Sequence, residues 1–243
     1  MKAREKPKFE SEIGKQIYDF VERSGAVRPT EVDDYVQTNP EEFRHQLALL
    51  KRDGYLEEHD GKLRLALETG TAEQYTTDEF DFVIRPAREE DLSGIIGAIR
   101  QVAAEKTDIV AESVAEALDQ EGALLRHNEQ ESRVFFVASV DDEVVGWAHL
   151  HVPEFEKLRH TAELTVGVLE DYRGHGIGSH LVQRSLQWAR SNGLEKVYQS
   201  LPATNQDAVN FLEEQDWETE AIRQKHYKIG DDYVAEQMMA YLF

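Results

Sequence analysis

Hydrophobic positions in the first part of the chain follow a helical period and then change to alternation. Ile13, Ile17 and Val21 recur at helical spacing, and Asn39-Pro40 stands where a third helix would begin, after a second one capped by Thr30. The stretch YLEEHDGKLRLAL alternates about Asp60-Gly61, a dipeptide typical of a tight hairpin turn. This pattern predicts three helices followed by a two-stranded hairpin.

A second pattern begins at Phe82, where short apolar runs alternate with amphipathic stretches. It predicts a strand, two helices over 89–106 and 112–127, two strands around Asp141-Asp142, and then strand, helix, strand, helix and two final strands. Such an order is typical of an α/β domain, in the broad sense that includes α+β, with a mixed, largely antiparallel sheet flanked by helices.

Between the two patterns lies a polar stretch, ETGTAEQYTTDEFD, with neither helical nor strand periodicity. We interpret it as a linker. The predicted organisation is a first domain over residues 1–68, a linker over 69–81 and a second domain over 82–243, each domain with its own core.

The composition indicates an acidic protein that contains no cysteine. The chain of 243 residues has a formal net charge of -21, and its first 68 residues hold 12 basic and 15 acidic residues, so most of the excess lies in the second part. This acidity resembles that of proteins from salt-adapted organisms, although an acidic surface in an ordinary cytoplasm is the alternative. Disulfides and thiolate sites are excluded. The charged start, MKAREKPKFESE, and the lack of a membrane-spanning apolar run lead us to expect a cytoplasmic protein without membrane contact.

The segment YRGHGIGSHL, residues 172–181, places three glycines where a helix is predicted to begin. Glycine costs a helix about 1 kcal/mol relative to alanine, so a backbone requirement must offset it. A helix start offers free N–H groups and a positive dipole end to a phosphate, and glycines let that phosphate approach. Neither the lysine-containing nucleotide loop nor the dinucleotide fingerprint matches this spacing.

With its surroundings, VGVLEDYRGHGIGSHLV resembles the acyl-CoA-binding signature of the GNAT superfamily of N-acyltransferases, and residues 82–243 follow that family's element order. The resemblance implies a GNAT fold and acetyl-CoA as co-substrate. It implies that Val166 and Val168 pair with pantetheine through their main chain and that Asn205, which also suits a helix N-cap, meets the CoA arm. The residues whose amides would hold the pyrophosphate are Arg173, Gly174, His175, Gly176, Ile177, Gly178 and Ser179. His175 is expected to be exposed rather than catalytic, and no metal is expected.

For catalysis, the resemblance suggests Glu163 as general base, with His160 as a nearby partner. An amine acceptor with a pKa near 10.4 is mostly protonated at neutral pH, so a base is useful. A carboxylate in a salt bridge is the alternative role. Two family features are missing, because Leu212 stands in place of the tyrosine that often protonates the thiolate, and Ser200 in place of a glutamate. Tyr227 or Tyr233 could supply the proton.

The first domain resembles a winged helix, on the segment LKRDGYLEEHDGKLRL that matches the family's last helix and wing. Glu41 and Glu42, in the first turn of the third helix, would repel DNA phosphates. Six residues could form a weak basic stripe, namely Arg44, His45, Lys51, Arg52, Lys62 and Arg64. Weak DNA binding through residues 1–68 and a structural or protein-contact role both stay open.

The combined interpretation is an N-acetyltransferase that passes an acetyl group from acetyl-CoA directly to an amine. The alternative is an acetyl-CoA-sensing transcription regulator with a catalytically weak GNAT domain. The acceptor stays open among a protein lysine, a protein N-terminus and a small amine, as does formation of a homodimer. Four carboxylates of the first helices of the second domain are candidates for attracting a cationic acceptor, namely Glu105, Asp108, Glu112 and Glu116.

Overall fold

The computed structural model describes residues 7–104, 109–128, 130–153 and 155–243. Its helices are α1 Glu12–Ser24, α2 Pro29–Val36, α3 Pro40–Arg52, α4 Leu92–Ala104, α5 Ile109–Glu121, α6 Ile177–Ser191 and α7 Gln206–Glu213. Its strands are β1 Leu56–His59, β2 Lys62–Leu65, β3 Glu73–Thr76, β4 Asp81–Pro86, β5 Arg126–His127, β6 Glu131–Val140, β7 Glu143–Pro153, β8 Thr161–Val168, β9 Lys196–Pro202, β10 Glu218–Ile229 and β11 Asp232–Leu242. Within the described ranges, no helix is long and apolar enough to cross a membrane.

The first part of the chain forms the predicted three helices and hairpin. The Asn39 side chain caps α3 by accepting from the Glu42 N–H at 2.8 Å. The N-cap of α2 is Arg28, so the prediction of Thr30 was wrong by two residues, because Pro29 takes the first helical position. An isolated antiparallel bridge between Val27 and Leu63 adds a third backbone segment to the two-stranded hairpin. The elements are confirmed, whereas their assignment to the winged-helix family stays a prediction.

A mixed sheet of nine strands runs through the described residues of the second part. Its order is β10-β11-β9-β8-β7-β6-β4-β3, with β5 paired to β6. All pairs are antiparallel except β8 with β9, which is parallel. The predicted largely antiparallel sheet is therefore confirmed. The parallel pair matters for the candidate site, because the pairing of β8 with β9 ends before either strand does.

Helices cover both faces of this sheet and divide the core in two. On one face, Leu181 and Val182 of α6 pack with Leu150 and Leu164 of the strands. On the other face, α4 and α5 pack against strand residues that include the buried Trp147. Since side chains alternate between faces along a strand, each residue of β8 can be assigned to one face.

Two elements differ from the prediction. The second predicted helix, over 112–127, ends at Glu121, because Gly122 adopts a positive φ of 67° that stops it, and β5 follows. The predicted linker, residues 69–81, contains β3, which pairs with β4 at the sheet edge. A strand of four residues at an edge is too short to show periodicity in the sequence.

The two parts of the chain have separate apolar cores but a shared, buried polar contact. Tyr18 of α1 donates to the His127 carbonyl at 2.6 Å, and Arg126 donates to the Glu22 carbonyl at 2.7 Å. The carboxylate of Glu22 accepts from Asn128 at 2.7 Å and lies 3.5 Å from Arg126. Glu22 and Arg126 are both buried, so the parts are in closer contact than a linker interpretation expects.

Candidate functional site

The glycine loop predicted to hold a phosphate lies between β8 and α6. Gly174 and Gly176 adopt positive φ values of 82° and 81°, which an L side chain rarely adopts, and Gly176 is the N-cap of α6. A Cβ on Gly178 would lie 3.2 Å from the Phe211 ring. The glycines therefore serve left-handed turns at two positions and a close contact at the third, and they leave the first N–H groups of α6 open toward solvent.

Beside this loop, the two parallel strands separate. Pairing between β8 and β9 ends at Glu163 and Tyr198, although β8 continues to Val168 and β9 to Pro202. The opening between them forms part of a cleft of about 630 Å³. The cleft-lining residues include Val166, Gly167, Val168, Tyr172, Arg173, Gly174, Gly176, Ile177, Gly178, Ser179, Gln199, Leu201 and Asn205.

Val166 and Val168 present main-chain groups to this cleft. The Leu169 N–H donates to the Val145 carbonyl of β7 at 2.9 Å, so odd-numbered residues of this stretch face β7. Backbone groups of adjacent residues point to opposite edges of a strand, so Val166 and Val168 face the side on which β9 has departed. Arg173 donates to the Val168 carbonyl at 2.9 Å and fixes the loop to the strand end. An extended amide-containing arm that paired with this edge would continue the sheet, and this pairing stays a prediction.

Asn205 and Gln199 add side-chain polar groups to the cleft. Asn205 is the N-cap of α7, and its oxygen accepts from the Ala208 N–H at 3.3 Å. It also lines the cleft, while its contact with the CoA arm stays a prediction. Gln199 is 3% exposed, and its Oε1 is buried without a hydrogen-bond partner among the described residues. A buried carbonyl oxygen without a partner is costly unless a ligand donates to it. Pantetheine, with its two amide N–H groups, fits this cleft.

The side chain of His175 points away from the cleft. Its ring lies 4.9 Å from the Phe80 ring, and its Nε2 lies 3.9 Å from a carboxylate oxygen of Glu79. His175 is not among the cleft-lining residues, unlike the rest of Arg173 through Ser179. Only its backbone is therefore available for the role predicted for it.

On the sheet face opposite α6, Glu163 is a half-buried carboxylate at the point where β8 and β9 separate. No hydrogen bond or ion pair of its side chain is found within the described part of the chain, so the alternative role in a salt bridge has no support there. Burial raises the pKa of Glu163, and the charge of Glu236 raises it further. Burial and the charge of Glu163 likewise raise the pKa of Tyr198. The arrangement gives a carboxylate whose proton affinity is above that of an exposed glutamate.

Glu236 of β11, which the sequence analysis did not single out, faces the same region. Arg223 pairs with its carboxylate, Tyr227 donates to it at 3.1 Å, and His226 lies 3.7 Å away. Burial acts to raise the pKa of Glu236, but hydrogen bonds from Arg223, Ser200 and Tyr227 outweigh it and lower the pKa. A register shift in β10 between Arg223 and Tyr227 turns three side chains toward this one carboxylate. Glu236 therefore stays ionised and acts on Glu163 as a fixed negative charge.

The histidine predicted beside Glu163 is not the one that the fold brings there. His160 lies in the turn before β8, three residues before Glu163, and no contact between the two side chains is found among the described residues. His151 of β7 lies directly across from Glu163 in the antiparallel pairing. Burial lowers the pKa of His151, whose Nε2 lies 3.4 Å from Glu131. Cross-strand pairing determines which histidine lies across from Glu163, and a single sequence does not reveal that pairing.

The tyrosines considered as proton donors occupy different places. Tyr233 is 63% exposed, away from the carboxylates, whereas Tyr227 is bound to Glu236. Leu212 is buried and lines the cleft, as expected for a position without an acid. Tyr198, directly across the parallel pair from Glu163, is a further hydroxyl at this point that the sequence analysis missed.

The remaining acidic candidates contribute little to this geometry. Glu112 and Glu116 are exposed on α5, and Glu105 and Asp108 lie outside the described residues. No group of three or more histidine and acidic side chains suited to a metal ion occurs in the ranges that the structure describes.

Half of the six residues in the predicted basic stripe of residues 1–68 are paired with acidic side chains. Lys51 pairs with Glu58, Arg52 with Asp53 at 2.7 Å, and Arg64 with Glu57 at 2.6 Å. Arg44, His45 and Lys62 are exposed. Fewer positive charges are therefore available to a nucleic acid than the sequence suggested, and DNA binding stays a prediction.

Comparison with known proteins finds acetyltransferases. Residues 98–217 match the family model described as the acetyltransferase (GNAT) family. An N-alpha-acetyltransferase of Saccharolobus solfataricus is 25% identical over 161 residues, which cover 63% of this chain and 89% of that protein. An L-methionine sulfoximine/L-methionine sulfone acetyltransferase of Pseudomonas aeruginosa is 27% identical over 129 residues, 53% of this chain and 75% of that protein.

Solved structures support the α/β fold. A ribosomal-protein-alanine N-acetyltransferase from Brucella melitensis superimposes with a TM-score of 0.52 at 24% identity, covering 66% of this chain and 99% of that one. The yncA acetyltransferase from Salmonella typhimurium, whose structure contains acetyl-CoA, has a TM-score of 0.55 at 18% identity and covers 66% of this chain and 93% of that one. The α/β arrangement of mixed sheet and flanking helices is thus that of known acetyltransferases.

Proposed function

We propose that this chain, whose residues 98–217 match the acetyltransferase (GNAT) family, transfers an acetyl group from acetyl-CoA directly to the amine of an acceptor. The GNAT family uses acetyl-CoA. The proposal depends on one observation, which is that the cleft and a carboxylate with a raised pKa meet at one point of the sheet. The cleft on the α6 side and the carboxylate Glu163 on the opposite face converge where β8 and β9 separate.

In this proposal the chain binds the donor by its backbone and orients it with few side chains. The amides of residues 173–179 at the start of α6 receive the pyrophosphate, and the helix dipole favours its negative charge. The pantetheine arm pairs with the main chain of Val166 and Val168 like an extra strand. The side-chain oxygen of Gln199 accepts a hydrogen bond from one of the arm's amide N–H groups. The arm then leads toward the gap between Glu163 and Tyr198.

Glu163 accepts the proton that the acceptor ammonium must lose before it can attack. The new C–N bond forms as the C–S bond of the thioester breaks, and the thiolate leaves with the electron pair of that bond. The nitrogen releases its second proton to solvent as the amide forms. The raised pKa of Glu163 suits this role, because a base is most effective when its pKa approaches the working pH. In this proposal Tyr198, the Cα partner of Glu163, gives a proton to the sulfur and is reprotonated from solvent.

The relatives suggest an α-amine as acceptor. One relative is an N-alpha-acetyltransferase, and another is an acetyltransferase of the amino-acid analogues L-methionine sulfoximine and sulfone. A peptide N-terminus and a free amino acid share this α-amine. We place both first in a panel that also contains a lysine side chain and a polyamine.

The test follows free thiol after mixing the protein with acetyl-CoA and each acceptor, while calorimetry measures CoA affinity. Gly176→Val should abolish CoA binding, because valine rarely adopts the φ of 81° found here and would displace the loop amides from the phosphate site. Gly230→Val is the matched control, because Gly230 also has a positive φ and open space but lies in the β10–β11 turn. The proposal is supported if the two variants lose equal stability but only Gly176→Val loses CoA binding. Absence of thiol release above hydrolysis with every acceptor, despite tight CoA binding, would contradict catalysis.

A further inference from the structure

A segment outside the matched family region runs along the outer face of α6. Residues 68–80, here called the strap, contact α6 at every fourth residue, which is one face of a helix. Trp188 donates to the Glu68 carbonyl at 3.0 Å, and Arg184 donates to the Thr69 and Thr71 carbonyls at 2.9 and 2.8 Å. The strap thus follows α6 from its last turns toward its first.

At the first turn of α6, the strap ends in an aromatic cluster against the glycine loop. The Tyr75 ring lies 3.8 Å from the His180 ring, which is the nearest group behind Gly176. The Phe80 ring lies 4.9 Å from His175 and 5.4 Å from Tyr172. These contacts reach both ends of the loop whose amides line the cleft.

The conformation of the strap end is itself held by local hydrogen bonds. The hydroxyl of Thr77 accepts from the N–H groups of Glu79 and Phe80 at 3.2 and 3.0 Å and donates to the Phe80 carbonyl at 2.8 Å. Such a turn restricts the position of the Phe80 ring. Phe80 is half-buried and does not line the cleft itself, whereas its ring partner Tyr172 does.

We infer that Phe80 and Tyr75 are positioning residues for donor binding, which hold His175 and His180 from behind so that the loop amides converge on the pyrophosphate. This inference rests on the proposed function. A glycine-rich loop has many accessible conformations, and fixing it before the ligand arrives reduces the entropy lost on binding. The aromatic contacts supply that restriction from a segment that begins at the end of the first domain.

The test compares Phe80→Ala with Phe155→Ala, which removes a 63% exposed phenylalanine elsewhere. Loss of the ring contacts with Tyr172 and His175 should raise the Kd for CoA about tenfold in Phe80→Ala, whereas Phe155→Ala leaves it unchanged. The KM for acetyl-CoA should rise equally, with kcat at saturation retained. Phe80→Leu should restore most of the affinity, because it keeps an apolar contact with the loop.

A donor without phosphates separates loop positioning from general damage. Turnover of S-acetyl-N-acetylcysteamine should be the same in Phe80→Ala and in the unaltered protein, because this thioester does not use the loop. If Phe80→Ala fails to fold, Thr77→Val removes the hydroxyl that holds the turn and should also weaken CoA binding severalfold. Unchanged CoA affinity in a folded variant, or an equal loss with both donors, would overturn the inference. Failure of the unaltered protein to bind CoA would instead contradict the proposed function.

Discussion

Replacing Glu163 by glutamine tests the base directly, because glutamine keeps the size of the side chain but cannot accept a proton at neutral pH. Glu163 makes no ion pair in the described part of the structure, so its replacement breaks none there. Burial and Glu236 raise its pKa, and the neutral glutamine removes the cost of burying that charge. The variant should therefore be as stable as the unaltered protein while its turnover falls.

The size of the fall depends on the acceptor. An amine of pKa about 10.4 is neutral in only about 1 molecule in 2,500 at pH 7, so loss of the base should lower kcat/KM by roughly 10² to 10³. An α-amine of pKa about 8 is neutral in about one tenth of molecules at pH 7. For such an acceptor, loss of the base should lower kcat/KM by only about tenfold. In both cases the residual rate should climb about tenfold per pH unit below the amine pKa, because solution then removes the proton.

The assay is thiol release at saturating acetyl-CoA between pH 6 and 10, with CoA affinity measured in parallel. Glu220→Gln is the matched control, since Glu220 is a surface carboxylate paired with Lys196 near the start of β9. Its replacement should leave the rate unchanged. A change of only a few-fold in Glu163→Gln, with the pH profile of the unaltered protein and a lower melting temperature, would refute the reasoning.

Three further outcomes follow from the same contacts. Glu236→Gln removes a negative charge beside Glu163, so the pKa of Glu163 should fall and the acidic limb of the pH–rate profile should move to lower pH; an unmoved limb would exclude the coupling. Gln199→Leu should weaken CoA binding, and unchanged affinity would contradict the role of Gln199. The ligand-free protein should be as stable or more stable by calorimetry, because the replacement removes a buried oxygen without a partner among the described residues. Glu22→Ala should lower the free energy of unfolding by about 3 kcal/mol in denaturant titration, since it leaves Arg126 buried with only part of its compensation, and a loss under 1 kcal/mol would show the contact to be unimportant.

The sequence by itself determined those features that depend on neighbouring residues. The helical period and the Asn39-Pro40 start predicted α3, and alternation about Asp60-Gly61 predicted the hairpin. The loop after β8 was equally readable, because left-handed turns need glycine whatever lies around them. Val166, Val168 and Asn205 were singled out by the resemblance to the GNAT signature, and all three line the cleft.

The tertiary structure decided which distant residues meet. His151 rather than His160 lies across from Glu163, because the pairing of β7 with β8 sets that register, and Glu236 arrives from a strand more than 70 residues further along. The strap was expected to be a linker, since an edge strand of four residues and contacts to a helix about a hundred residues away leave no local pattern. Periodicity records which side of an element is buried, whereas the identity of its partners depends on how the whole chain packs.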